Sequence, residues 1–352
     1  MNPSTGKIFT RTIRCLGVAK GDAEAALAYA PSQGWNQAEL GPVDKSLRMA
    51  AVTATGTGDI APTTPAAADF AAFVWPMTIL GRLIGLRRVP AGVRSITATS
   101  GTGAYWAGEA NPRPISRMTL QGQTLTPLSV TAISVVTKEL VRSSNPNAEV
   151  TLSADLARAA VAAADAAFID PSNAGEAGVK PASVTHGIGD FVSSGSSLAQ
   201  IDADLDLLIN SLADAGSDLQ FATFVLSPRT ALYLARLRGT GGALAHPGMT
   251  AKGGTLFGLP ALTSAHVPST GSPYVSSITL LDPAQILLAD EGGGKLEVAT
   301  DAALQMEDAP GSGEQALVSL WQTDSVALKT TRYINWRRCR DNVARTLVGV
   351  AY

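Results

Sequence analysis

Apolar residues fall at helical spacing along three stretches of the chain. In "AEVTLSADLARAAVAAADAAFI" (148–169), Leu152, Leu156, Ala159, Ala160, Ala163 and Ala167 make one stripe of mostly small side chains, which permits close approach of a sheet or another helix. Asn145 stands ahead of it as a cap and Pro146 as a first helical residue, and Asp170-Pro171 stops it. At ~1.5 Å per residue this helix is on the order of 30 Å long, enough to act as a spine. "SSLAQIDADLDLLINSLADAG" predicts a second helix with Ile201, Leu205, Leu208, Ile209 and Leu212 on one face. In "FATFVLSPRTALYLARLRG" a strand leads through Ser227-Pro228 into a third helix closed by Gly239.

Alternation with period two marks the strands. From Leu128 the pattern runs through Val130, Ala132, Ser134 and Val136. Together with "SITATSGTGAYWAGE" this predicts two long strands joined by a polar, proline-containing tip: a β-hairpin arm. Such an arm, solvent-exposed on both faces, is only marginally stable by itself, so something must cover it. The segments "GTLFGLPALTSAHVP", "SITLLD", "QILLAD" and most of the C-terminal region read as further strands. Residues 1 to about 72 lack sustained periodicity and read as an extended arm with one short helix at 22–30, unable to bury a core alone. Helices and strands mix without strict alternation, which predicts an α+β fold.

Composition sharpens this picture. Of 352 residues 45% are hydrophobic and only 16% charged, with a formal net charge of -2. That charged fraction is well below the roughly 25% of average soluble domains, so much of the surface is expected to be covered by the fold or by neighbouring subunits. No stretch reaches the ~18 apolar residues needed to span a bilayer, and the N-terminus does not read as a signal peptide. Cys15 and Cys339 form no metal-spaced pair and read as reduced thiols.

The chemistry available is thin. "GGGKL" (292–296) lacks the hydroxyl residue and spacing of a phosphate loop. "DADLDL" (202–207) has Leu207 where a calcium loop needs glycine, so its aspartates read as a solvated helix face. His186, His246 and His266 stand in loops, and no nucleophile elbow occurs. Glu109 with Asp155 or Asp165 is a candidate carboxylate pair, although both aspartates sit on the long helix. The sequence therefore predicts no catalytic, cofactor or metal site. Arg82, Arg87, Arg88 and Arg94 occur with no acid between Phe70 and Gly108, and "RYINWRRCR" forms a second basic cluster. Both would attract phosphates, but no sequence-reading module is present.

The order of these parts resembles the major capsid proteins of tailed phages, of the Hong Kong 97 type. Four segments carry the likeness: "AYWAGEANPRPISRMTLQGQTLTPLSVTAISVVTKELVRSS", the long helix with its exit "DAAFIDPSNAGEAG", "FATFVLSPRTALYLARLRGTGG", and "GTLFGLPALTSAHVP". The resemblance implies an N-terminal arm (1–72), the start of a peripheral domain (73–96) and an extended loop (97–137). The peripheral domain continues with the spine helix (138–200), followed by an axial domain (201–292) and a return to the peripheral domain (293–352). It implies a structural protein, not an enzyme, that self-assembles as hexamers and pentamers into an icosahedral virion shell around double-stranded DNA in the host bacterial cytoplasm. Portal, scaffold and decoration proteins are the further partners it implies, with no membrane and no cofactor. No removable scaffold segment is visible ahead of the arm, which implies a separate scaffold protein or a processed chain; Met1 favours the former. The fold-sharing alternative is an encapsulin-like shell with protein cargo.

By the same resemblance Trp106 and Glu109 become intersubunit residues of the loop. Arg113, Arg117, Arg87 and Arg88 are expected to contact neighbouring subunits too. Some members of the family join subunits through a Lys–Asn isopeptide bond assisted by glutamate. Here no lysine occurs from Ser46 to Thr137, Met118-Thr119-Leu120-Gln121 stands where the family lysine would fall, and Gln322 or Thr323 stands near the glutamate position. No autocatalytic cross-link is expected.

Overall fold

The first helix, α1 (Lys7–Val18), forms where the hydrophobic pattern predicts none. The computed structural model describes residues 6–55, 65–100, 106, 119–142, 146–239, 241–271, 274–306 and 316–352. The chain falls into two units. The first takes Met1–Thr78, Ser129–Ala163 and Gly292–Tyr333; the second takes Ile79–Leu128, Ala164–Glu291 and Ile334–Tyr352.

In the first unit α1 is followed by α2 (Ala23–Tyr29), α3 (Gln37–Thr55) and α4 (Pro65–Val74). The expected extended arm is thus helical over its described residues. Side chains satisfy the free N–H groups at each helix start. Asp69 Oδ2 accepts from Ile8 and Phe9 at 3.1 and 3.4 Å, Asp22 Oδ1 from Glu24 at 2.9 Å, and Asn36 Oδ1 from Glu39 at 2.9 Å. Fully buried Ser46 accepts the Ala66 N–H at 3.1 Å, tying α4 to α3. Cys15, Leu16, Ala26, Val43 and Leu47 make a core among these helices. The pattern hid α1 because its buried face includes Thr10, Thr12 and Arg14. The two threonine hydroxyls bond back to carbonyls of their own helix, so a polar-looking stripe packs inside.

The chain continues through α5 (Ile79–Arg82), β1 (Arg87–Arg88), β2 (Arg94–Ser100), β3 (Thr119–Thr124), β4 (Leu128–Thr137) and α6 (Lys138–Arg142) into α7 (Pro146–Ile169). Helix α7 is the predicted spine, with Pro146 at its first position. Its buried side is rotated from the predicted stripe. Ser153, Leu156, Ala157, Val161, Ala164, Asp165 and Phe168 are buried, whereas Ala159 and Ala163 are exposed. Burying Val161 and Phe168 removes more apolar area from water than burying alanines, which sets the rotation. Within the first unit Leu156, Ala157 and Val161 pack with Phe9, Phe70, Val74, Val326 and Leu328, and the Phe9 and Phe70 rings stack at 4.2 Å.

The second unit continues with β5 (Asp190–Val192), α8 (Leu198–Asp214), β6 (Thr223–Leu226), α9 (Pro228–Arg236), β7 (Met249–Thr250), β8 (Gly253–Leu256), β9 (Leu259–Thr263), β10 (Ser269–Thr270) and β11 (Val275–Leu281). After β12 (Ile286–Ala299), β13 (Ala303–Met306), β14 (Ala316–Ser319) and β15 (Ser325–Arg338), the chain ends with β16 (Ala344–Val350). An eight-stranded mixed sheet runs β5-β16-β11-β6-β9-β8-β7, with β10 on β11. Helix α8 lays Ile201, Leu205, Leu208 and Leu212 into its core beside Phe224, Leu226, Ile278 and Leu347. The Ser227 hydroxyl caps α9 by accepting from the Thr230 N–H at 3.1 Å; that helix stops at Arg236, ahead of the predicted Gly239. The solvated-face reading of "DADLDL" fails at Asp204. It is buried, and its carboxylate accepts from the Ser194 N–H and hydroxyl, each at 2.8 Å.

Candidate assembly surfaces

Over its described residues the predicted hairpin arm is built from a different pair of strands. β2 and β3 pair antiparallel from Arg94↔Thr124 to Ser100↔Thr119, with a register shift between Ala98 and Ser100, and form a two-stranded sheet of their own. β4, expected as the returning strand, is separate. Leu125 is buried with Leu287 and Cys339, the Thr126 carbonyl accepts from Asn335 Nδ2 at 2.6 Å, and Pro127 has no N–H to continue a ladder. The returning chain is therefore pinned between β3 and β4.

Ile96 in this two-stranded ribbon is 62% exposed, Val93 at its base 54%, and Trp106 beyond β2 is fully exposed. An indole in water carries one of the largest apolar surfaces a residue can offer a partner. Glu109, Arg113 and Arg117 lie outside the described residues.

Arg87 and Arg88 make up β1, exposed on both faces, paired in parallel with Leu287 and Leu288 of β12. The Arg87 guanidinium lies beside the Cys339 thiol. Burial pushes that thiol above its usual range, opposed by the charges of Arg87 and Arg340. The structure thereby joins the two basic runs of the sequence, which lie some 250 residues apart. Arg337 and Arg340 were not singled out individually from the sequence; the available signal was the missing acid, since none occurs between Asp324 and Asp341.

Two of the three histidines have polar neighbours in the fold. His186 Nδ1 lies 2.9 Å from the Pro171 carbonyl, and His246 Nε2 lies 3.4 Å from Asp202. Asp165 is buried against Ile79 and Ser264. "GGGKL" is part of strand β12. Among the described residues no three His, Cys, Asp or Glu side chains gather as a metal site, and no helix is long and apolar enough to cross a membrane.

The model of the phage capsid family matches residues 77–334. The capsid polyprotein of Pseudomonas phage PAJU2 is 36% identical over 361 residues, covering 98% of this chain and 54% of its own length. The chain thus spans about half the length of that curated relative. Among solved structures, one from Mycobacterium phage Ogopogo superposes with a TM-score of 0.55 at 16% identity, over 77% of this chain and 91% of that one. One from Gordonia phage Cozz gives 0.54 at 17% identity, over 75% and 84%. At such identities the likeness speaks for the fold alone. The chain belongs to the phage capsid family, and its α+β fold is of the Hong Kong 97 type.

Proposed function

We propose that this chain is the repeating structural subunit of an icosahedral phage head, assembled through hexamers and pentamers into a shell around double-stranded DNA. The observation that carries the reading is the isolated β2–β3 ribbon with fully exposed Trp106 beyond it. A two-stranded ribbon with exposed apolar residues is marginal alone and gains stability when a neighbour covers it. Trp106, Glu109, Arg113 and Arg117 are the ribbon-side contacts to that neighbour, and Arg88 is a further charged contact. Repeating one head-to-tail contact closes a ring, and many modest contacts add through effective concentration. Residues 97–137 act as the extended loop, α7 as the spine of the peripheral domain, and 201–292 as the axial domain. Assembly takes place in the host bacterial cytoplasm with portal and scaffold proteins, and decoration proteins bind the finished head. The role is structural, without enzymatic activity or covalent cross-linking. The family match does not favour an encapsulin-like shell.

Electron microscopy of the protein, expressed alone and with the neighbouring genes, tests this. Uniform shells tens of nanometres across that hold nucleic acid are expected. Shells holding protein cargo, or only small oligomers under both conditions, would overturn the reading.

A further inference from the structure

We propose that Arg87, Arg337 and Arg340 form a strip that grips the sugar–phosphate backbone of the enclosed double-stranded DNA without reading its sequence. The assignment rests on the capsid reading above and gives it a named internal surface.

The strip follows from strand register. Arg87 stands opposite Leu287 in the parallel pairing of β1 with β12. β12 lies between β1 and β15, and the Cys339 N–H donates to the Gln285 carbonyl at 2.9 Å. Counting two residues along each strand from that bond, with β12 and β15 running antiparallel, puts Arg337 level with Leu287, which is itself buried against Leu125. Neighbouring strands are ~4.8 Å apart, so Arg87 and Arg337 rise from one face about 10 Å apart. Arg87 lies beside the Cys339 thiol and Arg340 follows Cys339 directly in the chain, so the third arginine lies at the same end. Arg338, one residue out of phase, points to the other face, where its Nη1 donates to the Val184 and His186 carbonyls at 3.3 and 2.8 Å.

Arg87 and Arg337 have little negative charge beside them in sequence, while Asp341 directly follows Arg340. No Asp or Glu occurs between Asp69 and Glu109, nor between Asp324 and Asp341. Asp282, which also acts on the Cys339 thiol, is 2% exposed, and its oxygens accept from Ser217 Oγ at 2.7 Å and the Ala284 N–H at 3.1 Å. Arg340 Nη2 donates to the Gly216 carbonyl at 3.2 Å, which holds the side chain without cancelling its charge. Duplex DNA presents one negative charge per ~1.7 Å of axis, so a row of guanidiniums meets phosphates in any rotational setting. Reading bases requires an element inserted into a groove; a row on a sheet face makes backbone contacts instead. An acidic face of another subunit is the competing occupant, and the test separates the two.

The probe is a fluorescent 30-base-pair duplex of random sequence, bound by the full-length chain before assembly across a series of salt concentrations. R87Q/R337Q is compared with wild type and with R87K/R337K. At about 0.9 per phosphate contact, the slope of log K against log salt is expected to fall by roughly 2 in the glutamine variant and stay near wild type in the lysine variant. Shells of the glutamine variant should still form by electron microscopy. An unchanged slope, a lysine variant that behaves like the glutamine one, or no duplex binding by wild type overturns the proposal. Failed shells with normal duplex binding also overturn it, and assign the strip to a contact between subunits. Failure of the capsid reading would register separately, as wild-type protein that forms no shells.

Discussion

The Asp165 carboxylate accepts the backbone N–H of Ile79 at 2.8 Å, across 86 residues of chain. Its second oxygen accepts from the Ser264 hydroxyl at 2.9 Å, and the side chain is only 1% exposed. One carboxylate on the spine helix thus caps α5 and holds the loop after β9. In the sequence, Asp165 stood out only as one of two aspartates on the long helix that could pair with Glu109.

Replacing Asp165 with alanine leaves a buried N–H and hydroxyl without their acceptor, at a cost of about 1–3 kcal/mol for each unsatisfied group. The asparagine variant keeps an acceptor and removes the charge, so it isolates the pH effect. Burial pushes the Asp165 carboxyl above its usual range, outweighing the bonds from Ile79 and Ser264 and the charges of His266 and Arg82. The folded state therefore holds this proton more tightly than the unfolded chain. The resulting stability is fully present below the unfolded value near 3.9 and is lost as pH rises through the folded value. Urea midpoints of unassembled wild type and D165N, measured from pH 3.5 to 7, should show wild type losing ground to the variant as pH rises. A gap that stays constant with pH would refute the linkage.

The exit from the spine helix depends on Asn173 and Gly175. Asn173 Nδ2 donates to the Ala167 and Pro181 carbonyls at 2.7 and 2.9 Å, while its Oδ1 accepts the Gly175 N–H at 3.1 Å. Gly175 has φ 78°, and a Cβ there would stand 2.6 Å from the Ala182 nitrogen. N173A should cost about 2–3 kcal/mol from unpaired buried carbonyls, and G175A a similar amount from backbone strain and collision. Thermal unfolding of the two variants checks this; a shift of under about 2 °C in both would contradict the geometry.

What the sequence displayed and what it concealed divide along physical lines. The bounds of α7 and α8 and the Ser227-Pro228 start of α9 were legible, because caps and periodic apolar residues are local signals. The helices before residue 72 were not. α3 carries Pro42 inside it, and α1 buries two threonines and Arg14, so packing against α4 decides what propensity leaves open. Strand β3 and the break at Thr126-Pro127 were also hidden, since the alternation was read only from Leu128 and the burial of Leu125 with Leu287 and Cys339 is a tertiary contact. Trp106 and Arg87 could be singled out by residue type. Pairing Arg87 with Arg337 required strand register, which no local pattern supplies.

Trp106 distinguishes assembly from folding. It makes no buried core contact in its own chain, so W106A should change subunit stability by no more than about 0.5 kcal/mol. Covered by a neighbour, the same indole would contribute roughly 1.5–3 kcal/mol at every repeated contact. Shells of W106A should accordingly fail to form, or should dissociate at clearly lower urea, while unfolding of the free subunit matches wild type. Normal shells with a destabilised subunit would place Trp106 in the wrong role.

Shell strength in this protein should be entirely non-covalent. An isopeptide bond needs a lysine amine at the loop, and none occurs from Ser46 to Thr137. The first lysine after the loop, Lys138, is held at the end of β4, its Nζ 2.9 Å from Asp324. Met118 to Gln121 occupy the place where an amine would be needed, and none of their side chains carries one. Purified shells boiled in detergent should run as a single monomer band, and shells dissociated in mild denaturant should yield subunits alone. A ladder of covalent multimers would show that another lysine reaches a partner amide across the interface, and would overturn this expectation. With no covalent seal, shell stability must scale with the area that Trp106 and its ribbon bury. W106A shells and cross-link-free wild-type shells should therefore differ in urea midpoint, with neither surviving boiling.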